Sequence, residues 1–287
     1  MSGWKRVNRR QRIRELPGLA RVLPVRMPPW LRALARRRRY RLLSEEELRA
    51  TRRSETVFVF GSGWSLNEIP PEEWRRIEEH DTLGFNWFVH ERFVRCDYHL
   101  VRGIPDDDLD PAIWRPQVAE YFRLVRENPC FDGTTFLVQA GFRAINGNRA
   151  LGYGYLPDER PVFLWKTNLR DDLPTRSFAA GLVHGASTLQ ECVNFAALLG
   201  WRTIVLAGVD LYDRRYFWLA DEETRSLDAQ RGAPVEQAHS RGTSGMIETF
   251  GAWRSALLAD GIELQVYNPR SLLAQVLPVY RAPSQSA

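Results

Sequence analysis

The chain has 287 residues, 44% hydrophobic and 11% aromatic, enough to bury the core of one large or two small domains. Its three cysteines, Cys96, Cys130 and Cys192, are scattered without C-x-x-C spacing; this argues against a disulfide scaffold or a zinc knuckle and fits a reducing cytoplasm. No uninterrupted apolar run is long enough to span a bilayer, and none follows the basic N-terminus as a secretory signal would require.

In chain order, the first feature is a basic arm, taken as residues 1–50 and set apart from a body at 51–287. Residues 1–43 hold Lys5 and thirteen arginines against one acid, Glu15. With a whole-chain charge of +5, this stretch carries about +13 and residues 44–287 about −8. Leu16, Leu19, Val22, Leu23, Trp30, Leu31 and Leu34 intersperse with the arginines up to Arg36-Arg37-Arg38-Arg39. Arginine mixed with leucine and tryptophan suits an anionic membrane surface. A solvated tail is the competing reading, and nucleic-acid binding ranks after both, so no nucleic-acid partner is expected. Pro17, Pro24, Pro28 and Pro29 restrict the arm to short helical pieces, and Glu45-Glu46-Glu47 behind Ser44 reads as a first helical turn.

From Ser54 onward, strands are expected at Thr56–Phe60, Thr82–Phe85, Tyr98–Val101, Thr135–Gln139, Val162–Trp165, Thr203–Ala207 and Glu263–Tyr267. Helices are expected at Pro71–Glu79, Ala112–Glu127, Ser187–Leu199, Thr243–Asp260 and Ser271–Val276. This alternation predicts an α/β fold with a mostly parallel sheet and helices on both faces. The turn after the first of these strands, Gly61-Ser62-Gly63-Trp64-Ser65-Leu66, lies where open α/β sheets bind nucleotides. Its glycines can turn tightly, approach a ligand and offer free N–H groups. The spacing lacks the third glycine of a dinucleotide fingerprint, so plain turn chemistry is an equal reading. Residues 213–238 break the alternation and read as a lid or binding loop.

Five motifs in order carry a resemblance. They are the Gly61–Leu66 turn with Phe85-Asn86; Ser187-Thr188 with Ala197–Trp201; Ile204–Tyr212, which includes Asp210; Ala238–Thr243; and Tyr267-Asn268-Pro269-Arg270-Ser271-Leu272-Leu273. Over roughly residues 55–280 the chain resembles the bacterial sialyltransferases of glycosyltransferase family 42. It is also similar to a broader group with an archaeal pterin pyrophosphokinase and nonulosonic-acid transferases of flagellin. The resemblance implies a single Rossmann-like, GT-A-variant domain with a lid, no metal and no cofactor, and a CMP-sugar donor inverted at the anomeric carbon. His239 matches the general base, and Tyr212 and Tyr216 match the tyrosines that hydrogen-bond the departing phosphate. Gly61, Ser62, Gly63 and Asn86 match nucleotide contacts, and Ser187 and Thr188 match the Thr-Ser at a helix entry near the donor. Asn268, Pro269, Ser271 and Leu272 match the region closing over the base.

Three departures stand out. Ser62 and Trp64 replace the family's Asn and Pro. Gly185, beside His184, stands where an arginine is expected, so either His184 is the cationic partner or the donor differs from CMP-sialic acid. A third nucleotide asparagine has no match, and Arg102 sits near its place.

The leading expectation is a cytoplasmic transferase moving sialic acid, or a related nonulosonic acid, to a cell-surface glycan precursor, as in lipopolysaccharide biosynthesis. Residues 1–43 would hold it against the inner face of the membrane, near lipid-linked acceptors, and the family implies a homotetramer. The alternatives are a nucleotide-dependent pyrophosphokinase, for which only Asp210 and the Asp106–Asp110 run offer magnesium ligands, and an inactive nucleotide-sugar-binding protein. Asp106–Asp110 precedes a helix start and reads more readily as capping than as a metal site. Ser187 is a good N-cap with or without a ligand, Asn86 could merely satisfy a turn, and His90 and His99 read as structural.

Overall fold

A computed structural model describes residues 28–102, 111–141, 144–158, 160–185, 187–212, 215–219 and 242–282. His239, residues 1–27 of the arm, the Asp106–Asp110 run and most of the expected lid lie outside the described residues. Among the described residues the strands, in chain order, are β1 Arg41–Leu42, β2 Thr56–Phe60, β3 Asp81–Phe85, β4 Tyr98–Val101, β5 Thr135–Gln139, β6 Pro161–Trp165, β7 Thr167–Asn168, β8 Leu182–Val183, β9 Thr203–Ala207 and β10 Glu263–Val266. The helices are α1 Pro29–Arg36, α2 Glu45–Arg49, α3 Pro71–Ile77, α4 Pro111–Glu127, α5 Ile145–Gly152, α6 Thr188–Leu199 and α7 Gly242–Ala259.

Eight strands form one sheet in the order β1-β6-β5-β4-β3-β2-β9-β10, and every pairing in it is parallel. Strands such as Thr56-Val57-Phe58-Val59-Phe60 are apolar on both faces, as a sheet covered on both sides requires. Val57 and Val59 point into one core with Cys192, Phe195 and Trp201 of the α6 segment and Phe250 and Trp253 of α7. Phe58 and Phe60 point into the other, with Trp74 of α3, Tyr121 and Phe122 of α4 and Leu151 of α5. The chain moves outward from β2 through β3, β4, β5 and β6, then returns to β9 on the other side of β2. This reversal leaves a crevice beyond the C-terminal ends of β2 and β9, where ligands bind in such sheets.

The edges are short or covered. β1 contributes two residues, and along β10 the Val266 N–H donates to Pro278 O while Tyr280 N–H donates to Val266 O, both at 2.9 Å. No described helix is long and apolar enough to cross a membrane.

The expected strands are all present within one residue at either end. The expected helix at Ser271–Val276 is a single 3-10 turn over Leu272–Gln275. Helix α5 was not foreseen, because its sequence INGNRALG carries two glycines and two asparagines; its burial on the sheet outweighs that propensity. Residues of the expected arm also pack on the sheet. Leu43 N–H donates to Val162 O at 2.9 Å, Tyr40 Oη donates to Leu151 O at 2.9 Å, and Leu48 is fully buried. Residues 28–50 therefore belong to the packed body; the arginine count concealed the few apolar side chains that fix them there. Leu48→Ala should cost about 2–5 kcal/mol in urea unfolding, whereas a detached arm would show no change.

Candidate functional site

Three loops lock together at the C-terminal ends of β2, β9 and β10. The Gly61 N–H donates to Ala207 O and the Gly63 N–H to Gly208 O, each at 2.8 Å. A Cβ at Gly61 would collide with Gly208 O, and one at Gly63 with the Asp210 carboxylate. The expectation of free N–H groups at these two glycines is thus corrected: the loop after β9 takes them. Asp210 is buried, and its Oδ1 accepts from Ser65 Oγ at 2.5 Å and from Asn268 Nδ2 at 3.1 Å. Its Oδ2 accepts from the Ser65 N–H at 3.0 Å. Ser271 Oγ donates to Val209 O at 2.6 Å, and the Leu272 N–H to Asp210 O at 3.2 Å. Pro269 lies exposed between them. These contacts hold Leu211 at φ 60°, a left-handed conformation that costs a leucine about 1–3 kcal/mol.

Two tyrosines belong to this region, Tyr212 on the loop after β9 and Tyr216 bridged through its backbone to Gly63. Tyr212 is half-buried, with its Oη 3.3 Å from Asn268 Nδ2. Burial, then the charge of Asp210, raises its pKa, so it remains a hydrogen-bond donor at neutral pH. Tyr216 is exposed, and its backbone forms an antiparallel bridge with Gly63. Its ring stacks on Trp218 at 4.6 Å, and Trp218 stacks on His90 at 4.7 Å. The Phe217 N–H donates to Ser62 O at 3.2 Å, and Asn67 Nδ2 donates to Phe217 O at 2.9 Å. Residues 215–219, near the start of the expected lid, are therefore pinned to the glycine turn.

A second group stands at the ends of the neighbouring strands. The register Phe60↔Gly84 sets Asn86 level with Ser62 on the adjacent loop. Asn86 has φ 50°, and its Nδ2 donates to Thr188 Oγ1, the first residue of α6, at 3.4 Å. Its carbonyl accepts from Tyr121 Oη at 3.0 Å, and Tyr121 Oη meets His99 Nε2 at 2.5 Å, both side chains being buried. Ser187 caps α6, its N–H donating to Gln190 Oε1 at 3.3 Å. Gln190's carboxamide fills the space beside Gly185 that a side chain there would need. His184 Nδ1 lies 3.5 Å from Glu191 Oε2, and Arg102 pairs with Glu191 Oε1. Burial raises the pKa of Glu191. Arg102 also donates to Thr167 Oγ1 at 3.0 Å.

The structure thus brings Gly61, Ser62, Gly63, Asp210, Tyr212, Tyr216, Asn268, Ser271 and Leu272 together, with Asn86, Thr188, Ser187 and His184 on the flanking loops. Sequence reasoning missed Ser65, Tyr121, Glu191 and the Trp218–His90 stack. Ser65 stood within a quoted motif, yet the pairing that gives it a role spans 145 positions. Among the described residues, no group of three or more His, Cys, Asp or Glu side chains could hold a metal ion.

No family model and no curated protein matches the chain. Among solved structures it is similar to the sialyltransferase CstII from Campylobacter jejuni in complex with a substrate analogue, at 15% identity and TM-score 0.47, covering 79% of this chain and 86% of that one. It is also similar to the monofunctional alpha-2,3-sialyltransferase Cst-I from the same organism, at 15% identity and TM-score 0.43, covering 83% and 82%.

The buried His99 yields a pH dependence. Burial pushes its pKa down to about 3, against about 6.5 in an unfolded chain. As pH falls below about 6.5 the unfolded state takes a proton that the folded state refuses. Stability then drains by up to about 1.4 kcal/mol per pH unit toward pH 3 from this group alone. Urea unfolding at about pH 7.5 and about pH 5 should show the loss, and His99→Gln should flatten it; an unchanged slope in the variant rules this origin out.

Proposed function

We propose that the chain is an inverting glycosyltransferase that moves sialic acid, or a related nonulosonic acid, from a CMP donor to a cell-surface glycan acceptor. The observation that supports this reading is that Tyr212, hydrogen-bonded to Asn268, and Tyr216, whose backbone bridges Gly63, both belong to the loops that meet where the strand order reverses. A CMP phosphodiester is already a good leaving group, so its departure needs hydrogen-bond donors aimed at the developing charge more than a strong acid. Two protonated phenols supply these donors without a metal. The N–H groups of Gly61 and Gly63 are engaged, so in this reading the phenols supply donors that these two glycines cannot. Asn86, whose carbonyl accepts from Tyr121 and whose amide meets Thr188, contacts the nucleotide from the neighbouring loop in this reading.

His239, three residues ahead of α7 in the chain, serves as general base in this reading. A neutral imidazole takes the proton from the acceptor hydroxyl as its oxygen attacks the anomeric carbon, an effect typically worth about 10²–10⁴-fold. The lid beyond the pinned stretch closes to keep water from the donor.

In a thermal-shift panel, CMP should stabilise the protein more than UDP, GDP or ATP; a preference for ATP with magnesium would favour the pyrophosphokinase alternative. Incubation with CMP-sialic acid and a chelator should release CMP, and His239→Ala should abolish the release. Tyr212→Phe should lower kcat by about 10²–10³-fold with little change in KM. Wild-type activity in Tyr212→Phe would remove the phenol from the mechanism.

A further inference from the structure

Helix α1 carries its side chains the opposite way round from an ordinary surface helix, which turns its leucines inward. Its inner face offers Ala33, with the Arg32 guanidinium over the Tyr153 ring at 4.7 Å and the Arg36 guanidinium packed against Gly154. Its outer face shows Trp30, Leu31 and Leu34 at 37%, 36% and 57% exposure. Arg37, Arg38, Arg39 and Arg41 follow it in the chain and are exposed. Residues 28–43 contain no acid at all.

Exposed leucine and tryptophan edged by arginine match a surface whose outer layer is anionic and whose interior is apolar. We propose that the outer face of α1, together with Arg37–Arg39, is a docking surface for an anionic lipid bilayer. A second copy meeting this face across a two-fold axis would bring two acid-free, cationic patches together and be repelled. A nucleic acid would use the arginines but leave the leucines in water. The helix is fixed to the body through Tyr40, whose hydroxyl bonds Leu151 O, and through β1 at the sheet edge. Docking would thus orient the whole body against the lipid. The proposal stands apart from the transferase reading, because vesicle binding is measured without any nucleotide.

The test is co-sedimentation of the full-length protein with phosphatidylglycerol-containing vesicles and with pure phosphatidylcholine vesicles. Binding should occur to the first only and weaken as salt rises. Leu31→Ser/Leu34→Ser and Arg37→Ala/Arg38→Ala/Arg39→Ala should each weaken it by about tenfold or more, with unchanged melting temperatures. Three results would overturn the proposal. One is full-strength vesicle binding by the leucine variant, which would assign binding to residues 1–27. Another is a wild-type dimer that becomes monomeric in that variant, which would assign the face to a second copy. The last is RNA binding in place of vesicle binding.

Discussion

The buried carboxylate of Asp210 is the point on which the crevice depends. A charge removed from water is tolerated only when its oxygens are met by hydrogen-bond donors. Here those donors come from two other loops, Ser65 after β2 and Asn268 after β10. Electrostatic demand therefore does what hydrophobic burial cannot do at a polar sheet end: it fixes the distances between three loops that are far apart in the chain. The left-handed Leu211 is the local cost of that arrangement, offset by the contacts on either side of it.

The same knot sets the chemistry available. With their N–H groups engaged, Gly61 and Gly63 are occupied by the loop after β9. Around them Tyr212 is held through Asn268 and Tyr216 by its backbone bridge. On the neighbouring strands, the buried pair His99 and Tyr121 secures the carbonyl of Asn86, so the side chain that faces Thr188 rests on two buried rings.

Much of the fold was legible because parallel strands announce themselves locally. Runs such as Thr56–Phe60 and Thr203–Ala207 are apolar on both faces, and their spacing by helices leaves little choice of class. Elements whose stability comes from distant partners were not legible. Helix α5 has poor intrinsic propensity, and α1 and β1 lie in a stretch dominated by arginine, so only packing reveals them. At the site, the motifs at Gly61–Leu66, Ile204–Tyr212 and Tyr267–Leu273 fall on loops that meet, while the contacts of single residues depend on pairings across the chain. His99 and Tyr121 lie 22 positions apart and Asp210 and Asn268 lie 58 apart. Neither separation leaves a periodic trace.

The treatment of the sheet's two outermost strands has a further consequence. One is only two residues long and begins with an arginine; on the other, the N–H and carbonyl of Val266 are taken by Pro278 and Tyr280 of the same chain. Open parallel sheets are otherwise templates on which copies can add strand to strand and polymerise. A two-residue flank and a flank paired at its C-terminal end both leave little length for strand addition by another copy.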